Sequence, residues 1–180
     1  MTQKTNRFIL RERTNDVHAT LESAVGQFSD AETYIRYLRG MMTFRETIER
    51  QLVSAAASVV IHGWLPGEIA PLLRKDLEDL GQIKPKAASS FDLPNDRQGL
   101  LGVLYVLEGS GLGARVLTRR AEKLGYSPSF GARHLASQIS RADSWNSLLG
   151  LLDEIATSDI DRTVQAARMT FKVAIDVFER

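Results

Sequence analysis

The chain has 180 residues, of which 43% are hydrophobic and 25% charged, with a net charge of +1 and no cysteine. These values fit one soluble domain, predicted over residues 1–180, and exclude a disordered chain, disulfides and cysteine-ligated metals. The near-zero charge gives no reason to expect nucleic acid or an anionic membrane as partner. The N-terminus lacks a signal-peptide core and the apolar run around residues 52–61 is shorter than the ~20 residues of a membrane span, which predicts a cytoplasmic location.

Two helices are predicted in the first third of the chain. Apolar side chains at spacings of three, four and seven indicate the first helix: Leu10, Val17, Leu21, Val25 and Phe28. The second helix is predicted to start after Ser29, because Ser29 and Glu32 form a capping-box pattern. Its apolar periodicity continues through Leu52 toward Val60.

Proline and glycine mark helix ends and loops in the middle of the chain. The stretch "HGWLPGE" ends the second helix, and Pro66 suits the first turn of a third helix that ends near Gly81. The stretch "IKPKAASSFDLPND" is typical of a loop. Either Asn95 or Asp96 is then positioned to cap a long apolar helix.

The remaining third is also helical by its pattern. A turn at "GYSPSFG" precedes two shorter helices at about 131–140 and 143–156. Ser158 with Asp161 predicts the cap of a last helix that runs to Phe178. Because no segment alternates with the period of a strand, the prediction is an all-α fold.

The stretch "GVLYVLEGSGLGARVL" contains Gly109, Gly111 and Gly113 inside an apolar helical pattern. Each glycine costs about 1 kcal/mol relative to alanine in a helix interior, so the cluster needs an explanation. The letters "GSGLGA" match a dinucleotide-binding fingerprint, but that motif requires a βαβ unit and is therefore disfavoured. Two explanations stay open: a neighbouring helix packs closely here, or a flat ligand lies on the backbone of a kinked helix.

His18 lies at the edge of the apolar stripe of the first helix. Arg11 precedes it by seven residues, which places both on nearly the same face about 10.5 Å apart along the axis. Arg7 and Lys4 extend this basic end. A neutral imidazole is the usual axial ligand of haem iron, and a cation so placed can meet a haem carboxylate. The alternative is a partly buried histidine that hydrogen-bonds a neighbouring group.

Three blocks of sequence together resemble the haem oxygenase family. These are "LRERTNDVHATLESAVGQF", "YVLEGSGLGARVL" and "AARMTFKVAIDVFER", which span most of the chain in the family's order. The form "LEGSGLG" is most similar to bacterial members, including those encoded beside bacteriophytochromes. The resemblance implies a single-domain helical bundle in which haem lies between the first, proximal helix and a kinked glycine-rich distal helix.

The resemblance also implies roles for individual residues. His18 would be the axial ligand of the iron, Arg11 a cation at the haem carboxylates, and Phe171 part of the haem pocket. Gly109 and Gly113 would be the distal glycines that let backbone touch the porphyrin.

Ser110 departs from the pattern of many members, which carry an aspartate there to hold water near the reaction. A hydroxyl can donate and accept hydrogen bonds, but it carries no charge.

The implied reaction uses haem as both cofactor and substrate, consumes O2 and electrons from an external reductant, and releases biliverdin, CO and ferrous iron. A ferredoxin or reductase is the expected electron donor. The product would supply a bilin chromophore to a bacteriophytochrome pathway, or iron would be the purpose.

Two other functions stay open: a haem carrier or sensor of the same fold that does not degrade haem, and a helical interaction protein that binds none. Ser110 favours the carrier, as do Asp143 and Ser147, which occupy positions that are basic in mammalian members.

Three arginines are alternative partners for the haem carboxylates: Arg115, Arg141 and Arg168. His62 and His134 are expected in loops or at the surface, and Glu108 is expected to pair with a cation.

Overall fold

The computed structural model describes residues 5–54, 61, 67–83, 85 and 91–179. Its α-helices are α1 (Asn6–Val25), α2 (Ala31–Ser54), α3 (Ala70–Asp79), α4 (Arg97–Gly109), α5 (Ala114–Lys123), α6 (Arg133–Ser140), α7 (Ala142–Asp153) and α8 (Ile160–Phe178). Two 3-10 segments, Ser110–Gly113 and Thr157–Asp159, precede α5 and α8. The described residues form isolated β-bridges near Ser127 but no strand, so the predicted all-α fold is confirmed.

Helix α8 is the central element of the bundle, because α1, α2 and α4 all pack against it. Its contact with α4 is close: a Cβ atom on Gly102 would lie 2.2 Å from the carbonyl oxygen of Thr163. A Cβ atom on Gly40 of α2 would lie 2.3 Å from the ring of Phe178. At these two positions helix packing itself requires glycine.

The stretch Arg97–Lys123 has the length and apolar composition of a membrane-spanning helix. Its leucines at positions 100, 101 and 104 are buried inside the bundle, and the 3-10 segment divides it. This arrangement is typical of a core helix in a soluble protein.

Two of the predicted helix caps are wrong. The N-terminus of α2 is capped by Asp30, whose carboxylate accepts hydrogen bonds from the backbone N–H and the hydroxyl of Thr33, both at 2.8 Å. The capping pair is therefore displaced by one residue from Ser29 and Glu32 toward the C-terminus. At α8, the N-cap residue is Asp159 and no side chain caps the helix. The hydroxyl of Ser158 donates to Asp159 instead, at 3.2 Å.

The end of α3 and the start of α4 follow the predicted glycine and cap more closely. Helix α3 has Pro71 in its first turn, while Pro66 lies outside the described residues. Just beyond its C-terminus, Gly81 adopts a positive φ of 66°, which glycine tolerates without strain. Of the two candidate caps for α4, Asp96 is the one used, since its carboxylate accepts the backbone N–H of Gly99 at 2.7 Å.

A buried ion pair on α2 anchors two other elements. The Nε of Arg45 donates to Glu49 at 2.6 Å, and both side chains are almost fully buried. The Glu49 carboxylate accepts the backbone N–H groups of Ile69 and Ala70, at the start of α3. The guanidinium of Arg45 donates to the carbonyl oxygen of Leu107 on α4 at 3.1 Å.

His134 is fully buried, which corrects the expectation of a surface or loop position. Its Nδ1 lies 2.7 Å from a carboxylate oxygen of Asp76, and its Nε2 lies 3.3 Å from the hydroxyl of Tyr37. Asp76 also accepts the backbone N–H groups of Arg133 and His134, and so caps α6. The burial depends on a carboxylate 58 residues away in sequence, which local pattern does not reveal. His62 lies outside the described residues.

Candidate functional site

The glycine-rich segment interrupts one long helix with a tighter turn. Helix α4 ends at Gly109, residues 110–113 form a 3-10 turn, and α5 begins at Ala114. The φ and ψ angles of Gly109 are −58° and −30°, and those of Gly113 are −82° and −11°. Both are right-handed helical conformations open to any L-residue, so the backbone itself does not require glycine at either position.

The surroundings of these glycines differ from those of Gly102. A Cβ atom on Gly113 would meet nothing within 4 Å, and one on Gly109 would only touch the ring of Trp145 at 3.7 Å. A Cβ atom on Gly111 would lie 3.8 Å from Gln138. These are ordinary contacts or open space. Close helix packing therefore explains Gly102, but it does not explain Gly109 and Gly113.

One face of α1 meets α4 at Tyr105. Arg7, Arg11, Thr14 and His18 share this face by helical spacing, and we call it the His18 face. Tyr105, one turn before Gly109, meets it: burial raises the pKa of the tyrosine, while contact with Thr14 and the charges of Arg7 and Arg11 oppose that effect.

The imidazole of His18 is accessible, with 54% of the side chain exposed. Its Nδ1 lies 3.7 Å from a carboxylate oxygen of Glu22, which is too long for a hydrogen bond. The ring meets Phe171 of α8 edge-on, with 5.7 Å between ring centroids. The structure thus brings together two of the predicted site residues, His18 and Phe171, and leaves the imidazole nitrogens available to a ligand.

Trp145 of α7 links the His18 face to the glycines. Its ring lies 5.6 Å from that of Tyr105, and the guanidinium of Arg7 lies 6.0 Å from its centroid. Its edge also faces Gly109, so Trp145 contacts both the His18 face and the break.

Ser110, the first residue of the break, is held by two hydrogen bonds. Its hydroxyl donates to the carbonyl oxygen of Leu107 at 2.7 Å and accepts from Nε2 of Gln138 at 3.0 Å. The same Leu107 carbonyl accepts from Arg45. Two side chains therefore bond this carbonyl at the point where the helix tightens.

A cavity of about 360 Å³ lies beside Gly111 on the side of α2 and α6. Arg115 and Arg141, two of the arginines proposed for the haem carboxylates, line this cavity together with Glu108, Gln138 and Trp145. The third, Arg168, is bound to Asp16 of α1 by paired bonds of 2.6 and 2.7 Å. Among the described residues, the arginines that share the His18 face are Arg7 and Arg11.

Sequence reasoning did not find Tyr105, Trp145, Gln138 or Arg45. Tyr105 could have been found, because it precedes Gly109 by four residues and so shares its helical face. The other three come from distant segments, and no local pattern distinguishes them from ordinary core or surface residues.

Comparison with known proteins identifies the family. The haem oxygenase family model matches residues 7–180. The chain belongs to the haem oxygenase family. Haem oxygenase PigA of Pseudomonas aeruginosa is 31% identical over 172 residues, covering 93% of this chain and 84% of that protein. A haem oxygenase of Xanthomonas campestris pv. campestris is 38% identical over 101 residues, covering 56% of this chain and 60% of that protein.

The fold agrees with a solved member of the family. The haem oxygenase of Neisseria meningitidis, determined with NO and CO bound, matches with a TM-score of 0.75 and 27% identity, covering 98% of this chain and 93% of that one. The predictions of an all-α haem oxygenase and of a haem-degrading enzyme are confirmed. Haem as substrate and iron and biliverdin as products follow from the family. No comparison supports the alternative of a carrier that leaves haem intact.

Proposed function

We propose that this haem oxygenase holds its substrate between the His18 face and the glycine break, with His18 as the axial ligand of the iron. The observation that carries this proposal is the pairing of an accessible imidazole with two glycines that no helix packing explains. A planar ring needs a ligand on one face and an approach close to backbone on the other, and these two elements supply both.

The residues around His18 fit the different parts of a haem. Phe171 meets the imidazole edge-on and limits its rotation, which favours one ring orientation. Arg11, with Arg7 beside it, supplies positive charge for the carboxylates of the substrate. Gly109 and Gly113 carry no Cβ atoms, so the porphyrin can lie against their backbone.

Bound haem supplies the iron centre at which O2 and electrons are used to open its own ring. The protein binds the ring, orients it, and places polar groups beside it. Ser110, in place of a charged side chain, contributes a hydroxyl whose bonds to Leu107 and Gln138 hold it still. A hydroxyl so held can order a water molecule at the break.

The partners of the reaction follow from its chemistry. Because haem cleavage consumes electrons, it needs an external reductant, for which we propose a ferredoxin or a reductase. The "LEGSGLG" form supports a link to bacteriophytochrome chromophore supply. We propose a single domain over residues 1–180, since the family model spans residues 7–180, and we propose a cytoplasmic location.

The test is a visible absorption time course on the protein loaded with one equivalent of hemin, reduced with ascorbate in air. The wild type should form a Soret band that decays while a bilin band grows. His18→Ala should weaken hemin binding by about tenfold or more and remove the spectrum of the ligated iron.

Thr20→Ala is the matched control, because Thr20 is exposed on the opposite face of α1, where its hydroxyl donates to the carbonyl oxygen of Asp16 at 3.1 Å. It should behave as wild type. A persistent Soret band in the wild type would show a protein that binds haem without cleaving it. An unchanged spectrum in His18→Ala would remove His18 as the ligand.

A further inference from the structure

Gln138 reaches the glycine break from a separate helix. Its amide Nε2 donates to the hydroxyl of Ser110 at 3.0 Å, and its Cβ atom faces Gly111. We propose that Gln138 is a positioning residue for haem cleavage, which acts by fixing the direction of the Ser110 hydroxyl. The inference rests on the proposed function, because it assumes that haem lies at the break.

The hydrogen bonds at Ser110 determine what this hydroxyl can offer. A serine hydroxyl has one donor and two acceptor positions. The donor is used on the carbonyl of Leu107, and one acceptor position is used by Gln138. The remaining position can only accept, so it binds a donor such as water. Without Gln138, Ser110 keeps only the bond to its own helix and gains a second free acceptor position.

Gln138 is held firmly enough to perform this role. It lies on α6, whose N-terminal N–H groups are capped by the buried carboxylate of Asp76 at 2.9 and 3.1 Å. Asp76 lies on α3, and the start of α3 is bound in turn by Glu49 of α2. Buried polar groups of this kind have few alternative partners, so they hold α6 in one position.

The other hydrogen-bonding partner of Ser110, the carbonyl of Leu107, is anchored to α2. Arg45 of α2 donates to the Leu107 carbonyl that accepts from Ser110. Both groups that direct the hydroxyl are therefore tied to the Arg45–Glu49 pair, one directly and one through α3 and α6. The hydroxyl is therefore directed by two groups that share one buried anchor.

The experiment is a double-mutant cycle on the hemin-loaded protein with Ser110→Ala, Gln138→Leu and their combination. Gln138→Leu keeps a similar volume and removes the donor. Two quantities are measured: the rate of biliverdin formation, and the pH midpoint of the Soret shift of the ferric complex, which reports the surroundings of the iron without turnover. Gln165→Leu, on the exposed side of α8, is the matched control.

We expect Gln138→Leu to bind hemin within about twofold of wild type, to slow biliverdin formation about tenfold, and to move the pH midpoint. In the Ser110→Ala background the same substitution should change neither quantity further, because its target is gone. A residue that served only stability would instead give independent, multiplying effects. Gln165→Leu should match wild type throughout.

Three results would overturn the inference. The first is wild-type behaviour of Gln138→Leu, and the second is a pair of effects that multiply in the double variant. In both cases hemin cleavage by the wild type would still support the proposed function. If wild-type protein itself failed to bind hemin, the proposed function and this inference would both be lost. Should Gln138→Leu not fold, Gln138→Glu replaces the donor by an acceptor at equal size and should slow the reaction at least as much.

Discussion

At the scale of single residues, the glycines of the long apolar stretch have two different causes. Gly102 is required by packing, because a Cβ atom would lie 2.2 Å from the Thr163 carbonyl oxygen, whereas Gly113 faces open space. Glycine therefore allows two helices to pack closely at position 102, whereas in our proposal it allows a ligand to contact the backbone at position 113.

This difference predicts that alanine at the two glycine positions changes the free energy of unfolding in opposite directions. Gly102→Ala should lower the free energy of unfolding by about 1–3 kcal/mol, since backbone must move to admit the methyl group. Gly113→Ala should raise it by about 0.5 kcal/mol, because alanine loses less conformational entropy in a helical conformation. Denaturant unfolding without ligand measures both.

Hemin affinity tests the proposed ligand contact at Gly113. Gly113→Ala should weaken hemin affinity several-fold, since the new methyl group lies where the porphyrin approaches the backbone. A stable Gly113→Ala protein with wild-type affinity and turnover would contradict the proposed contact at that glycine.

At the scale of elements, helix boundaries were largely predictable and their caps were less so. Periodicity and capping residues placed the N-termini of α2, α4 and α8 and the C-terminus of α8 within a few residues, because both signals are local. The long apolar helix predicted up to the turn at Gly125 is instead divided at residues 110–113, and the predicted continuation of α2 toward Val60 lies outside the described residues. Which of two adjacent polar residues caps a helix depends on the direction of the chain as it enters the first turn. That direction comes from packing, so Asp30 and Asp96 were decided only in the structure.

The cap of α4 gives a direct test with a built-in control. Asp96→Ala should cost about 1 kcal/mol of stability, because the N–H of Gly99 loses its acceptor and Arg162 loses its partner. Asn95→Ala, one residue earlier and exposed, should stay within about 0.5 kcal/mol of wild type. Asp96→Asn should fall between them, since the amide oxygen keeps the cap and loses the charge. Equal costs at positions 95 and 96 would contradict the cap assignment.

At the scale of the whole molecule, the network of Asp76, His134 and Tyr37 joins α2, α3 and α6. Burial lowers the pKa of His134 despite the neighbouring carboxylate, which favours the neutral imidazole at pH 7. It then donates from Nδ1 to Asp76 and accepts at Nε2 from Tyr37, whose pKa is raised by burial. Burial alone would raise the pKa of Asp76, but hydrogen bonds from His134 and the backbone outweigh it and lower the pKa.

These pKa shifts predict that acid weakens the fold. Since the pKa of His134 is lower in the folded than in the unfolded chain, its contribution is complete above pH ~6.5 and is lost as the pH falls below that value. Asp76 adds a further loss below pH ~4, for the same reason. The free energy of unfolding, measured by urea titration between pH 8 and pH 5, should therefore decrease toward acid.

His134→Asn identifies the origin of that slope. The asparagine amide can still donate to Asp76 but does not titrate, so the variant should be less stable at pH 8 by about 1–3 kcal/mol and lose less on acidification than wild type. Parallel pH profiles for the two proteins would assign the acid sensitivity to other groups.

The sequence by itself determined the all-helical class, most helix positions and the resemblance that pointed to haem chemistry, because periodicity, glycine and short motifs are properties of neighbouring residues. Only the tertiary structure decided which contacts span the chain. It buried His134 against Asp76, committed Arg168 to Asp16 and joined Gln138 to Ser110. Such pairs form between residues far apart in sequence when helices pack, and local sequence patterns do not show which distant residues come into contact.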